Sequence, residues 1–328
     1  MKQFNWGILA PGRIANSFAQ GLAVLPGAAC WAVGSRDLGR AQDFADRHGF
    51  QKAYGSYEDL AADPEVDAIY VATPHPWHEQ AVLTCLKQGK AVICEKPFAA
   101  NLEQAQRMVD MARERRIFLM EGMWTRFLPA TRKAMELIGG GAIGKVRHVV
   151  ADFGFRSEVD PESRLFAGDM AGGALLDVGV YNLSFCSMVY GRQPDRVQSH
   201  LTLGATGVDE AASALLNYKG GQSAFAYAAI RVTTRHEAVI YGEEGHICLP
   251  EYWRARKLLF SNKDGEQVLD LPFEASGFQF EAREVMDCLA NGLAESPLMP
   301  LQESLDVMRT MDDIRFANNL RYPFEAEW

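Results

Sequence analysis

Between Phe4 and Glu121 short apolar runs alternate with amphipathic ones, and this alternation constrains the fold more than any other feature of the chain. Phe4–Ala10, Ala28–Ser35, Lys52–Tyr54, Val66–Ala72, Ala91–Cys94 and Ile117–Glu121 read as strands. Arg13–Leu25, Leu38–His48, Glu58–Ala62, Pro76–Gln88 and Asn101–Arg115 read as the helices between them, with Ser56 as a cap and Gly49 as a stop. Strands separated by single helices predict a parallel sheet covered by helices on both faces. Right-handed crossovers bring the loops after the strands to one edge, where open α/β sheets bind ligands.

The pattern changes after about Trp124. A helix is expected over Pro129–Ile138, and Gly139, Gly140 and Gly141 then break the chain. Strand-like runs follow at Val146–Phe155, Arg196–Leu203, Ala212–Tyr218, Ser223–Val232, Glu237–Tyr241, His246–Leu249, Lys257–Phe260 and Val268–Leu271. Polar turns such as Lys219-Gly220-Gly221 separate them, which suggests an antiparallel or mixed sheet. Leu175–Tyr190, Phe278–Ala290 and Leu301–Asn318 read as helices. Two domains are therefore expected, 1–122 and 123–328. In Ala224-Phe225-Ala226-Tyr227-Ala228 both parities are apolar, so either a second subunit or the chain itself covers the second face of that sheet.

Composition excludes several classes. The 328 residues are 48% apolar and 23% charged, which is ordinary for a globular chain and not for a disordered one. Lys+Arg 33 against Asp+Glu 42 gives −9, so no broad attraction to nucleic acid is expected. The run Ala23–Gly34 is short and broken by Pro26 and Gly27, so neither a membrane span nor membrane binding is expected. Phe4 enters a strand directly after Met1 and Lys2, which argues against a signal peptide. The six cysteines contain no C-x-x-C pair and read as reduced core thiols, not as a metal site. The expected compartment is the cytoplasm.

The first strand leads into Ala10-Pro11-Gly12-Arg13-Ile14-Ala15. A turn that cradles a dinucleotide pyrophosphate needs small residues where the backbone approaches the phosphates, and free N–H groups at the following helix start. Ala10, Gly12 and Ala15 fill those positions, although the first glycine of G-x-G-x-x-G/A is missing; small residues kept for packing would read the same way. At the end of the second strand an NAD site usually carries a carboxylate for the ribose hydroxyls. Here Ser35 stands in its place and Arg36 follows, a pair suited to the 2′-phosphate of NADP over NAD. The plainer reading makes Arg36 a solvated residue and Asp37 a helix N-cap.

The fourth and fifth strands run into Ala72-Thr73-Pro74-His75-Pro76-Trp77-His78 and Glu95-Lys96-Pro97, at the same sheet edge. Lys96 precedes proline and is biased towards an extended backbone, so its amine can serve the cleft or pair with Glu95. In Gly172-Gly173-Ala174-Leu175-Leu176-Asp177-Val178-Gly179-Val180-Tyr181, Asp177 and Tyr181 are four apart and share a helix face among apolar neighbours.

These motifs together resemble the Gfo/Idh/MocA oxidoreductases, over essentially the whole chain. Met120–Ala130, Ser163-Arg164-Leu165-Phe166, Gly277-Phe278-Gln279-Phe280-Glu281 and the region from Ser296 to Met308 resemble its trans-1,2-dihydrobenzene-1,2-diol dehydrogenase branch, which also acts on pentoses such as D-xylose. The resemblance implies an α/β chain: an N-terminal Rossmann domain with a doubly wound parallel sheet, and a C-terminal α+β domain whose large, mostly antiparallel open sheet often forms homodimer contacts. It implies NADP as cofactor, held by Ala10, Gly12, Arg13, Ile14, Ser35, Arg36, Ala72, Thr73, Pro74, His75, His78, Glu95, Lys96 and Pro97. It also implies that Lys96 and Tyr181 act beside the nicotinamide. Two departures stand out: Ala10 replaces the usual first glycine, and Tyr181 stands where many members have His.

The expected chemistry is hydride transfer between a secondary alcohol carbon of a sugar, polyol or cyclic diol and NADP. A phenol with its usual pKa of about 10 is a poor base, and a nearby cationic Lys96 favours its anion. Tyr181 is then the acid/base, Lys96 its electrostatic partner, and Asp177 orients Lys96 or binds a substrate hydroxyl; Lys96 and Tyr181 could exchange roles. Trp124, Phe153, Phe155 and Phe278 are candidates for an apolar pocket, with Arg126, Arg156 and Arg164 as donors. His75 and His78 shape the loop and bind no metal, for want of a third ligand. The alternatives are NAD-recycling glycoside cleavage or epimerisation on the same scaffold, and a non-enzymatic dinucleotide or sugar sensor.

Overall fold

The computed structural model describes residues 3–325. Met1 and Lys2, on which the expectation about a signal peptide touches, lie outside them. Two compact units form. Of the described residues, the first takes those up to Trp124 together with Glu274–Leu305, and the second takes Thr125–Phe273 and those from Asp306 to Glu325.

In the first unit, β1 (Phe4–Leu9), α1 (Arg13–Ala23), β2 (Ala28–Gly34), α2 (Leu38–His48), β3 (Lys52–Tyr54), α3 (Tyr57–Ala62), β4 (Ala68–Val71), α4 (His78–Lys87), β5 (Ala91–Glu95), α5 (Leu102–Arg115) and β6 (Leu119–Gly122) follow in sequence. The six strands are parallel in the order β3-β2-β1-β4-β5-β6. Every residue of β4, β5 and β6 is buried, which explains their uninterrupted apolar character. Asp37, Ser56 and Asn101 cap α2, α3 and α5 by accepting the N–H of Arg40, Asp59 and Gln104. The strand order reverses between β1 and β4, and the loops beyond these strands open a crevice there.

The second unit opens with α6 (Pro129–Gly139) and β7 (Val146–Gly154). A helical segment follows, and its C-terminal part is α7 (Val180–Tyr190). Then come β8 (Arg196–Leu203), β9 (Asp209–Tyr218), β10 (Gln222–Ala229), β11 (Ala238–Gly242), β12 (Gly245–Leu249), β13 (Lys257–Asn262) and β14 (Gly265–Asp270). The strands order as β14-β13-β12-β11-β7-β10-β9-β8, with β7 and β10 parallel and the other pairs antiparallel. Of the two later helices, α8 (Gln279–Ala290) belongs to the first unit. There it packs so tightly on α1 that a Cβ on Gly21 would lie 2.7 Å from the backbone N of Gln279. The other, α9 (Leu301–Ala317), continues into the second unit.

One face of the large sheet is carpeted with Ala212, Ala214, Ala224, Ala226 and Ala228, all buried. The stretch Gly168–Tyr190 is long and apolar enough to cross a membrane by length and composition, and 83% of its apolar window is buried inside the fold. The opposite sheet face is open. Phe225 is 40% exposed, so the chain does not itself cover both faces of β10. Of the two sequence readings, two-sided burial within one chain falls.

Candidate active site

At the crevice, Ala10 adopts φ +68°, the left-handed conformation that normally selects glycine. Its N–H donates to Gly34 O at 2.9 Å, and its carbonyl accepts the N–H of Gly12 at 2.8 Å, so the turn is closed without the missing glycine. Gly12 then starts α1 with no side-chain cap and no acidic residue in the first turn. A Cβ built on Gly12 would meet only Ala10 O, at 4.0 Å, so the space before these N–H groups is open. Arg13 is exposed and Ile14 half-buried beside it. Across the crevice, Thr73 follows β4, and its buried Oγ1 has no hydrogen-bond partner among the described residues. An uncapped helix start, an open cradle and an orphaned hydroxyl fit a dinucleotide phosphate and its ribose.

At the end of β2, Asp37 Oδ1 accepts the N–H of Arg40 at 3.2 Å, as the plainer sequence reading had it, and this carboxylate is committed to the cap. Ser35 is buried, and its Oγ accepts the N–H of Asp37 at 3.2 Å. Arg36 and Arg40 are exposed, and both act on the phenol of Tyr57, whose pKa burial raises against them. Arg40 was not singled out in the sequence, because an arginine in a helix carries no signal of its own.

His78 joins two of the crevice loops. Its Nε2 lies 2.7 Å from Thr73 O, and its Nδ1 lies 2.9 Å from Pro97 O and 3.3 Å from Phe98 O. The ring is completely buried, and burial holds its pKa down at about 4 despite the three carbonyls and with help from Lys96. A neutral ring carries one N–H and all three facing atoms are carbonyl oxygens, so His78 donates to one of the two loops, that of Thr73 or that of Pro97, and packs its bare nitrogen against the other. His75 is buried, with its ring 5.9 Å from that of His78. Glu95 is buried and accepts from the Tyr70 hydroxyl and, at 3.1 Å, from the Lys96 backbone N–H. Trp124 and Phe278, also in this unit, stack with centroids 4.7 Å apart and are both buried.

The second unit gathers the remaining candidates. The glycine pair is forced from both sides. A Cβ on Gly172 would sit 2.6 Å from Leu165 O and 2.7 Å from Arg164 O, and one on Gly173 2.1 Å from Asp209 Oδ1. The expected single helix Leu175–Tyr190 begins instead as a π turn over Leu175–Gly179, and α7 carries on from Val180. Such widened turns concentrate at functional sites. Asp177 lies on this turn, and Tyr181 one turn further, on α7. Both terminal nitrogens of Arg164 donate to Asp177 Oδ1 at 3.1 Å.

Tyr181 packs against Phe153 at 5.4 Å, and Phe153 against Trp253 at 5.2 Å and His236 at 4.7 Å. Trp253 and His236 escaped the sequence reading: Trp253 lies on a short 3-10 turn, Tyr252–Arg254, and His236 in a loop, both outside any periodic pattern. Arg126 is buried and Phe155 half-buried, while Arg156 is exposed and pairs with Glu158 at 2.9 Å. Among the described residues no three His, Cys, Asp or Glu side chains group as metal ligands.

Comparison with known proteins agrees with this architecture. Residues 4–123 match a family model described as an oxidoreductase family with an NAD-binding Rossmann fold, and residues 131–248 match the GFO/IDH/MocA C-terminal domain. A trans-1,2-dihydrobenzene-1,2-diol dehydrogenase of Xenopus tropicalis is 38% identical over 97% of this chain and 99% of its own. An aldose-aldose oxidoreductase from Caulobacter crescentus shares the fold with a TM-score of 0.89 at 22% identity, covering 97% of this chain and 98% of its own. A 3-ketoreductase from Actinomadura kijaniata, solved with NADP, does so with 0.85 at 24% identity, covering 97% and 98%. With both domain models matched and a relative this similar end to end, the chain belongs to the Gfo/Idh/MocA family of oxidoreductases.

Proposed function

We propose that this oxidoreductase is a dehydrogenase of CH–OH groups that moves hydride between NADP and a secondary alcohol carbon of a cyclic diol, polyol or sugar. The observation that carries the reading is the Asp177–Tyr181 turn: a carboxylate gripped by Arg164 and a phenol, one turn apart, on a buried helical segment. The similarity to the Xenopus tropicalis dihydrodiol dehydrogenase supports the substrate class.

The Ala10–Ile14 turn holds the pyrophosphate on the uncapped start of α1, and Thr73 bonds the cofactor through its orphaned hydroxyl. Ser35, Arg36 and Arg40 take the 2′-phosphate, since Asp37 is committed to its cap and presents no competing carboxylate. When bound, the dinucleotide supplies the hydride acceptor. Tyr181 takes the proton of the substrate hydroxyl, and the Lys96 ammonium stabilises the negative charge that develops on that oxygen. Asp177, steadied by Arg164, accepts a second substrate hydroxyl. Phe153 and Trp253, stacked in the second unit with Tyr181 against Phe153, offer an aromatic face to the ring.

Assaying a panel of diols, polyols and sugars for reduced-nicotinamide absorbance, with NADP and NAD in parallel, tests this reading. Turnover of a cyclic diol or pentose with NADP preferred supports it. Retained cofactor with no net redox turnover would favour a recycling glycosidase or epimerase instead.

The enzyme acts as a homodimer through its open sheet. Leu215, Phe225, Val150, Val239, Cys248, Leu259 and Val268 are successive register partners across seven strands. Phe225, Leu215 and Val268 in this row are 40%, 38% and 60% exposed. An apolar band of this width is unusual on a monomer's surface. Light scattering after chromatography should give a dimer for the native chain and a monomer for Phe225→Glu. The six cysteines are free thiols, which supports a reducing compartment, the cytoplasm.

A further inference from the structure

Asp209, the first residue of β9, is completely buried beneath the start of the segment that carries Asp177 and Tyr181. Its Oδ2 accepts the Leu175 N–H at 2.7 Å. Its Oδ1 has no hydrogen-bond partner among the described residues and lies against Gly173, where no side chain fits. Gly173, held at φ +117°, in turn accepts the Asp177 N–H at 3.3 Å through its carbonyl. A short chain of contacts thus runs from Asp209 through the glycine turn to Asp177.

The same turn is fastened from the other side, where the Tyr322 hydroxyl donates to Gly172 O at 3.3 Å. The Tyr322 ring lies 4.7 Å from the Arg315 guanidinium. Arg315 is itself buried and bonded to Asp312 at 2.6 Å and Glu325 at 2.8 Å.

A buried carboxylate with one satisfied oxygen and one orphaned oxygen is costly to keep. An amide side chain would give the Leu175 N–H the same acceptor without burying a charge. A costly group placed directly beneath the turn of Asp177 and Tyr181 points to a role in the reaction.

We propose that Asp209 is a positioning residue for the reaction, and that its carboxylate form fixes the Gly173–Leu175 backbone so that Asp177 and Tyr181 are held in their working orientation. The inference rests on the reading of Tyr181 and Asp177 given above. Asp209 touches neither substrate nor cofactor in this scheme and acts through the backbone of the turn.

Burial pushes Asp209 up to about 7, against the pull of the Leu175 and Ala174 N–H groups, its own N–H and Arg315. The groups facing it are Arg315 from α9 and Tyr322 from the C-terminal segment, with Asp312 and Glu325 balancing Arg315. On its own strand Glu210 is occupied with Arg231 at 3.7 Å. The carboxylate is thus the form present at pH 8 and is lost below neutrality, which gives the turn a grip that loosens in mild acid.

The test compares the native enzyme, Asp209→Asn and Tyr181→Phe in the same kinetic and binding assays from pH 6 to 9. Asp209→Asn keeps the shape and one acceptor but removes the charge. It should keep its melting temperature and NADP affinity, lower kcat at pH 8 by about 10–100-fold, and lose the acid limb of the native kcat profile. Because the variant could misfold, hydrogen exchange at the Leu175 amide is followed in the native enzyme too. Its protection should fall as the pH drops through neutrality, after correction for intrinsic exchange. Native kcat with an unchanged pH profile in Asp209→Asn, or amide protection independent of pH, overturns the proposal. If Tyr181→Phe is inactive while Asp209→Asn behaves as native, this inference alone fails. If Tyr181→Phe is fully active, the reading of the site fails and takes this inference with it.

Discussion

Arg164 grips Asp177 with both terminal nitrogens on a single carboxylate oxygen, each at 3.1 Å, across thirteen residues of chain. The loop that brings it there is the loop that Gly172 must pack against without a side chain. The arginine is about half exposed, with a side-chain accessibility of 52%, so the pair is worth no more than about 1 kcal/mol to folding. Arg164→Met should therefore leave the urea midpoint nearly unchanged while lowering kcat/KM by about 10-fold or more, through loss of the geometry of Asp177. Equal losses in stability and activity would make the pair structural.

Ala10 holds a backbone conformation that costs an L-residue about 1 kcal/mol. Replacing it with glycine removes that strain but loosens the unfolded chain, and where φ is positive the first effect is the larger. Ala10→Gly should raise the urea midpoint slightly and bind NADP at least as well as the native enzyme. A lower midpoint would mean that the turn is held in another way.

His78 has a stability signature in pH. Its folded pKa of about 4 lies below the ordinary 6.5, so the folded state prefers the neutral ring. Its contribution is fully present above pH 6.5 and is lost as the pH falls towards 4, a change of about 3 kcal/mol. Urea unfolding at pH 7.5, 6 and 5 should show this loss, and His78→Gln should show much less of it. The variant should also bind NADP more weakly, because the ring packed between two loops of the proposed cofactor site is lost. Identical pH dependence in the two proteins would remove His78 as the source.

The proposed preference for NADP rests on the arginines after β2. Arg36→Ala should raise the KM for NADP by about 10–100-fold, the worth of a charged hydrogen bond of about 1.5–3 kcal/mol, and leave the KM for NAD nearly unchanged. Equal effects on the two cofactors would show that Arg36 does not reach the 2′-phosphate.

The parallel sheet was legible because β4, β5 and β6 are buried on both faces and therefore read as unbroken apolar runs. The eight later strands were legible from their turns and spacing. The π turn was not: an extra residue in a helical turn leaves the apolar pattern of Leu175–Tyr190 intact, and only hydrogen-bond geometry reveals it. The union of Glu274–Leu305 with the first unit was hidden as well, since it depends on α8 meeting a glycine of α1 far away in sequence. Lys96, Asp177 and Tyr181 stood out because polar residues interrupt apolar surroundings. Trp253, His236, Arg40 and Asp209 did not, because each gains its meaning only from a neighbour that the fold supplies.

The central claim is that Tyr181 carries the substrate proton during hydride transfer. Single-turnover kinetics of Tyr181→Phe with NADP and a substrate found in the panel test it most directly, alongside a measured NADP affinity. The account predicts a fall in the rate of nicotinamide reduction of about 10²–10⁴-fold with NADP affinity unchanged. A rate within a few-fold of the native enzyme would contradict it.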